Sequence, residues 1–206
     1  MSEFTYEKNE TYSHLEVYEW DNVWFEHTEL SDRPRIYYVG DSISCGTRRV
    51  ATAASENKVL FDGFGTSKAI DHPLLVESFA LFAKQLNRID AIIFNNGLHG
   101  WHLGEDDYGT YYDKVIGEIK ALYPDVPLLI VLTTHVADEK RAARVVLRNR
   151  AALSVAEKYG LPVIDLHSVS YENASLLSPD GVHFTADGYK LLAETILTDL
   201  KKNLII

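Results

Sequence analysis

Sulfur is nearly absent from this chain: its 206 residues include one cysteine, Cys45, and one methionine. A lone cysteine excludes a disulfide framework and any zinc site built on paired thiolates. Cations are scarce as well, with 20 lysines and arginines against 30 aspartates and glutamates and a net charge of −10. Such a surface opposes the phosphate backbone of nucleic acids and anionic membranes. No apolar run approaches bilayer-spanning length. The stretch from Met1 to Asn9 is polar and acidic, without the basic head and apolar segment of a secretory signal. These absences imply a cytoplasmic protein, unless a leader has been removed, with no nucleic-acid or membrane partner. Internal repeats and low-complexity tracts are missing too, which excludes repeat architectures.

What is present is enough apolar material, 46% of residues, for one domain with a full core. Residues 1–34 read as an extension packed over that domain, because Tyr12, Tyr18, Trp20, Trp24 and Phe25 stand densely among acids there. Such a segment can form a wall of a cleft or an oligomer contact, which leaves a homo-oligomer open. From residue 35 to 206 the pattern alternates strand and helix. Strands are expected at about 35–40, 58–64, 90–96, 127–134 and 162–167, and helices near 42–56, 72–87, 107–122, 138–159 and 186–202. Asp71 is the expected cap of the second helix, and Tyr108, Tyr111, Val115, Ile119 and Leu122 form the apolar stripe of the third. The alternation implies an α/β fold with helices on both faces of a five-stranded parallel sheet.

Two stretches carry chemistry. Val39-Gly40-Asp41-Ser42-Ile43-Ser44 lies where a strand passes into a helix, so Ser42 sits at the carboxyl edge of the sheet beside unpaired helix N–H groups. A plain helix N-cap is the structural alternative for that serine. Near the other end, Ser178-Pro179-Asp180-Gly181-Val182-His183-Phe184-Thr185 cannot be helical through Pro179 and Gly181, and Thr185 suits the N-cap of the last helix. Asp180 can therefore fold back onto the imidazole of His183, giving an acid and a base in four residues. Cys45, next to the serine block, reads as a small packed residue.

Together these stretches resemble the SGNH, or GDSL-like, hydrolases. Gly40-Asp41-Ser42 looks like the first family block with its catalytic serine, and Asp180-Gly181-Val182-His183 like the last, with the catalytic aspartate and histidine. The resemblance spans roughly Arg35 to Leu200. It implies a flavodoxin-like three-layer α/β/α sandwich and a serine esterase without cofactor. An α/β-hydrolase elbow, Gly-x-Ser-x-Gly, is not matched, because Ser44 stands at its last glycine.

The middle family blocks match less closely. Asp62-Gly63-Phe64-Gly65 offers Gly65, or alternatively Gly63, as the glycine whose N–H faces an oxyanion, alongside Ser42 itself. Gly97-Leu98-His99-Gly100 puts His99 where the family has asparagine and Gly100 where it has aspartate. Either His99 donates to the oxyanion, or Asn95 does and His99 meets substrate. His99 and His102 lack a third ligand in sequence, so no metal is expected. Trp101 and Thr134 are candidate substrate contacts, Trp101 by stacking on a sugar or closing an acyl pocket. Arg141, Arg144 and Arg148 read as a solvated stripe, whereas Asn149 falls on the apolar side of its helix and needs a backbone partner.

The expected activity is hydrolysis of a carboxylic ester through an acyl-serine intermediate, with a small-molecule or carbohydrate ester as substrate and acetyl as the favoured acyl group. A lipase- or thioesterase-like activity on longer chains and a catalytically silent binding domain are the alternatives.

Overall fold

The computed structural model describes residues 15–203, 205 and 206; Tyr12 lies outside them. The elements run β1 (Asp21–Trp24), β2 (Arg35–Gly40), α1 (Ser42–Ala54), β3 (Leu60–Thr66), α2 (Leu75–Ala83), β4 (Ala91–Phe94), α3 (Glu105–Leu122), β5 (Leu128–Val131), α4 (Glu139–Tyr159), β6 (Val163–Ile164), α5 (Leu166–Glu172) and α6 (Ala186–Lys202). The sheet order is β1-β3-β2-β4-β5-β6. The last five strands in that order are parallel, as expected, but the sheet has six: β1 adds antiparallel to the outer edge of β3.

Residues of β2 alternate between two cores. Ile36 and Tyr38 face the layer that contains α1 and α6, while Tyr37 and Val39 face the layer that contains α2 and α3. This period of two, with every residue of β2 buried, marks a central strand covered on both faces. The chain leaves β2 for β3 on one side and reaches β4 on the other. A crevice therefore opens beyond the carboxyl ends of β2 and β4, where ligands bind in doubly wound sheets.

Local chemistry sets the element ends. Asp41 is the N-cap of α1, its Oδ1 accepting the Ile43 N–H at 2.9 Å, so Ser42 is not the cap. Thr185 caps α6 through the Gly188 N–H, and Gly160 ends α4 at φ 64°. Asp71 does not cap α2; it pairs with His102 instead, and the helix begins at Leu75 without a side-chain cap. The buried stripe of α3 runs through Tyr108, Tyr112, Val115 and Ile119, leaving Tyr111 and Leu122 exposed. The last strand is shorter than expected because Asp165 caps α5 immediately after it.

The described part of the extension is held to the sheet edge by polar staples. Thr66 and Lys68 both bond the Asp21 carboxylate, and the Ser67 hydroxyl bonds Glu19 at 2.7 Å. Arg35 fastens the loop behind β1: its guanidinium donates to the carbonyls of Glu26, His27 and Leu30 and to both oxygens of Asp62. Burial pushes the Asp62 carboxyl up, against the pull of the Glu26 N–H and Arg35. Arg35→Ala would strand that acid, and removing one partner of a buried pair costs about 3–5 kcal/mol. Urea unfolding should show a loss of that order, whereas breaking the exposed Lys58–Glu56 pair should cost under about 1 kcal/mol.

Candidate active site

Ser42, freed from capping, directs its hydroxyl to the imidazole of His183, with Oγ 2.8 Å from Nε2. On the other side of the ring, Nδ1 lies 2.7 Å from Asp180 Oδ2. Asp180 Oδ1 accepts the N–H groups of Val182 and His183, each at 2.9 Å, and the Ser178 hydroxyl at 2.8 Å. Partial burial pushes this carboxyl up, but the Val182, His183 and Ser178 hydrogen bonds outweigh it and hold it well below the usual carboxylate range. An ionised Asp180 keeps hydrogen on Nδ1 and leaves Nε2 able to accept the serine proton. Gly181, at φ 72°, lets the turn lie against Ala137, where a Cβ would come within 2.9 Å. The Ala137 N–H in turn bonds the Gly181 carbonyl at 2.8 Å.

A narrow cleft opens at Ser42, walled by Leu98, His99, Trp101, Val136 and Val182, with Arg141 as a charged member. His99 and Trp101 are thus brought to the serine. Thr134 is not: it is buried beneath the crevice, lining an internal space with Tyr38, Asn95 and Leu166. Asn95 turns its amide inward, donating to the Val131 carbonyl at 2.8 Å and the Thr133 hydroxyl at 3.0 Å. Both amide hydrogens are spent between β4 and β5, which removes Asn95 as the oxyanion donor.

Gly65 is also directed elsewhere, for a reason that lies in β1. Ser67 N–H donates to Trp20 O, and the same register places Asn22 opposite Gly65 and Trp24 opposite Gly63. Hydrogen-bonded pairs alternate along an antiparallel ladder, so the N–H groups of both glycines point into β1. The groups left at the serine are its own N–H, at a helix terminus without intrahelical acceptors, and the ring of His99.

Three residues that sequence reasoning misread or missed, Arg148, Arg144 and Glu16, shape the loop between β4 and α3. Arg148 is fully buried and donates to the carbonyls of Gly97 at 3.0 Å, His99 at 2.6 Å and Gly100 at 2.8 Å. Its Nε reaches Glu105 at 3.0 Å, and its plane lies against Trp101 and Tyr108, 4.4 and 4.6 Å from their centroids. The solvated stripe is thereby corrected: Arg144 also bonds Glu105 and the Trp101 carbonyl. The signal was available, since Arg148 lies three residues after Val145 and four before Ala152, on the buried side. Asn149 brackets Thr133, accepting its N–H at 2.8 Å and donating to its carbonyl at 2.9 Å. The third missed residue is Glu16, from the extension, whose Oε2 is 2.9 Å from His99 Nδ1 and whose Oε1 accepts the Gly100 N–H at 3.0 Å. His102 pairs with a different acid, Asp71, and among the described residues no cluster of histidine, cysteine or acid is suited to a metal.

Residues 38–191 match the family model described as GDSL-like Lipase/Acylhydrolase family. No curated protein matches the sequence. Among solved structures, a lipase/acylhydrolase from Enterococcus faecalis is 18% identical with a TM-score of 0.64, covering 82% of this chain and 96% of that one. The catalytic domain of peptidoglycan O-acetyltransferase A from Streptococcus pneumoniae is 17% identical with a TM-score of 0.66, covering 84% and 95%. An acetyl xylan esterase is 15% identical with a TM-score of 0.62, covering 80% and 98%. At these identities the likeness establishes the fold.

Arg148→Lys should expose how far the loop depends on one guanidinium, because an ammonium cannot span three carbonyls and Glu105 in a plane. Each lost charge-assisted bond costs about 1–3 kcal/mol, so urea unfolding should show a loss of about 2 kcal/mol or more. The exposed Arg150→Lys should stay within about 0.5 kcal/mol.

Proposed function

Because the chain belongs to the GDSL-like Lipase/Acylhydrolase family, we propose that it is a serine esterase that removes a short acyl group, acetyl in the first instance, from a carbohydrate ester. The observation that carries this reading is the relay from Ser42 through His183 to Asp180, with hydrogen-bond spans of 2.8 and 2.7 Å. Ser42 Oγ attacks the ester carbonyl while His183 Nε2 takes its proton. The oxyanion is met by the Ser42 N–H and His99. Collapse of the tetrahedral intermediate breaks the bond to the alcohol, and His183 returns the proton to the departing oxygen. Water then repeats the sequence on the acyl-serine and restores the hydroxyl.

Size and lining favour a short acyl group. The enclosed space beside Ser42 is only about 10 Å³, far below the roughly 300 to 1,000 Å³ of pockets that take larger ligands. Leu98, Val136 and Val182 suit a methyl group, and Trp101 offers a ring edge to a sugar. The solved relatives named for acetyl chemistry, the xylan esterase and the peptidoglycan O-acetyltransferase domain, support the same substrate class.

Turnover of aryl esters of increasing acyl length tests the reading. The specificity constant should be highest for acetate and fall by about tenfold or more once the chain exceeds the cleft, a loss of roughly 1.4 kcal/mol of transition-state binding. Ser42→Ala should abolish turnover and keep the fold, since Asp41 rather than Ser42 caps α1. A rate that rises with chain length would move the substrate class to lipid or thioester, and wild-type turnover by Ser42→Ala would refute the mechanism.

A further inference from the structure

Glu16 is a buried acid that the mechanism above leaves unused. It is 4% exposed, and the His99 side chain it meets is 3% exposed. Both of its oxygens are committed to one loop, Oε2 to the ring of His99 and Oε1 to the next residue's N–H. The segment is itself fixed: the Glu16 N–H donates to Glu19 at 2.8 Å, and Glu19 accepts the Ser67 hydroxyl. Trp20 stands edge-on to the His99 ring with centroids 6.0 Å apart. A carboxylate buried and held in this way governs how the imidazole it touches is oriented and which nitrogen carries hydrogen.

With Nδ1 turned to Glu16, Nε2 is the ring nitrogen that can serve the cleft shared with Ser42. A neutral imidazole that donates its Nδ1 hydrogen has only a lone pair on Nε2. Nε2 carries hydrogen when the pair holds two exchangeable protons, one of them between Glu16 and Nδ1. That state has no net charge, whether the shared proton sits on oxygen or on nitrogen. The state with one proton carries a full negative charge and would face an oxyanion with a lone pair.

We propose that Glu16 is a positioning residue of the esterase site: by holding one proton against Nδ1 of His99 it allows Nε2 to carry another, and this N–H is the donor that receives the substrate oxyanion. The inference rests on the serine esterase reading and extends it, making the extension a working part of the site. No proton passes from His99 to substrate; the N–H donates a hydrogen bond while the Ser42 proton travels through His183. The charged and titratable groups around the pair are Glu19 on the same segment, Asp41 before α1, His183 before α6, and Arg141 and Arg148 on α4. Asp41 is fully buried and its carboxyl is pushed up by burial, against the opposing charge of His99.

The test compares Glu16→Gln, Glu16→Ala and His99→Ala with the intact chain on an acetyl aryl ester, following kcat and KM through the neutral and alkaline range. In Glu16→Gln the Gly100 N–H keeps the side-chain oxygen, so the amide nitrogen faces Nδ1 and donates to it. That fixes hydrogen on Nε2 without a charge to titrate. The wild type should therefore lose kcat as pH rises and the Gln variant should not, with KM within about twofold. Glu16→Ala should lose kcat by about tenfold or more, again with little change in KM. Superimposable pH profiles for wild type and Glu16→Gln, or an Ala variant with wild-type kcat, would overturn the proposal. His99→Ala separates the layers: a loss of about a hundredfold there, with the Glu16 variants unaffected, removes only Glu16. An intact rate in His99→Ala removes His99 as the donor.

Discussion

Helices α1 and α6 approach so closely at Gly46 that a Cβ there would lie 2.3 Å from the Tyr189 ring. That contact governs the rest of the site. Ser42 lies one turn before Gly46, and His183 lies just before α6, so the spacing of the two helices sets the 2.8 Å between Oγ and Nε2 across 141 residues of chain. Neither partner adjusts freely. Ser42 is fixed by the cap at Asp41, and His183 by an Asp180 carboxylate that receives two backbone N–H groups, a hydroxyl and the ring itself. Ser42 and His183 are thus set by packing of rigid elements, which preserves geometry better than mobile loops would.

The opposite wall of the cleft has a different foundation. Its loop, from Gly97 to Trp101, contains two glycines and would be pliable alone. Arg148 gathers three of its carbonyls from within α4, and Glu16 grips it from the extension. Buried charges are costly unless paired, and here Glu105 offsets Arg148 while Glu16 meets His99. A chain with an excess of acids has placed these ones where they order backbone, beside the group proposed to stabilise the oxyanion.

Much of this was legible because it is local. The Asp180–His183 turn, the Thr185 cap and the inward Asn149 each depend on residues within a few positions, and the strands follow from short runs of β-formers that are buried on both faces. What escaped is non-local. Whether the Gly65 N–H faces a substrate depends on whether another strand covers β3, and the strand that does so, β1, is four residues drawn from an acidic, aromatic stretch with no period of its own. Glu16 looks like any other acid of that stretch until the fold brings it to a residue 83 positions away. Arg148 was misjudged for another reason: its charge suggested solvent, although its helical position pointed to the core.

The central claim is that Ser42 alone among the serines is activated. An organophosphorus ester, a fluorophosphonate, reports this directly, because only a hydroxyl deprotonated by a neighbouring base attacks phosphorus readily and expels fluoride. Peptide mapping by mass spectrometry after exposure to the probe should find one adduct, on Ser42, and its formation should coincide with loss of ester hydrolysis. An adduct on Ser44 or Ser67 instead, or undiminished hydrolysis in fully labelled protein, would contradict the account.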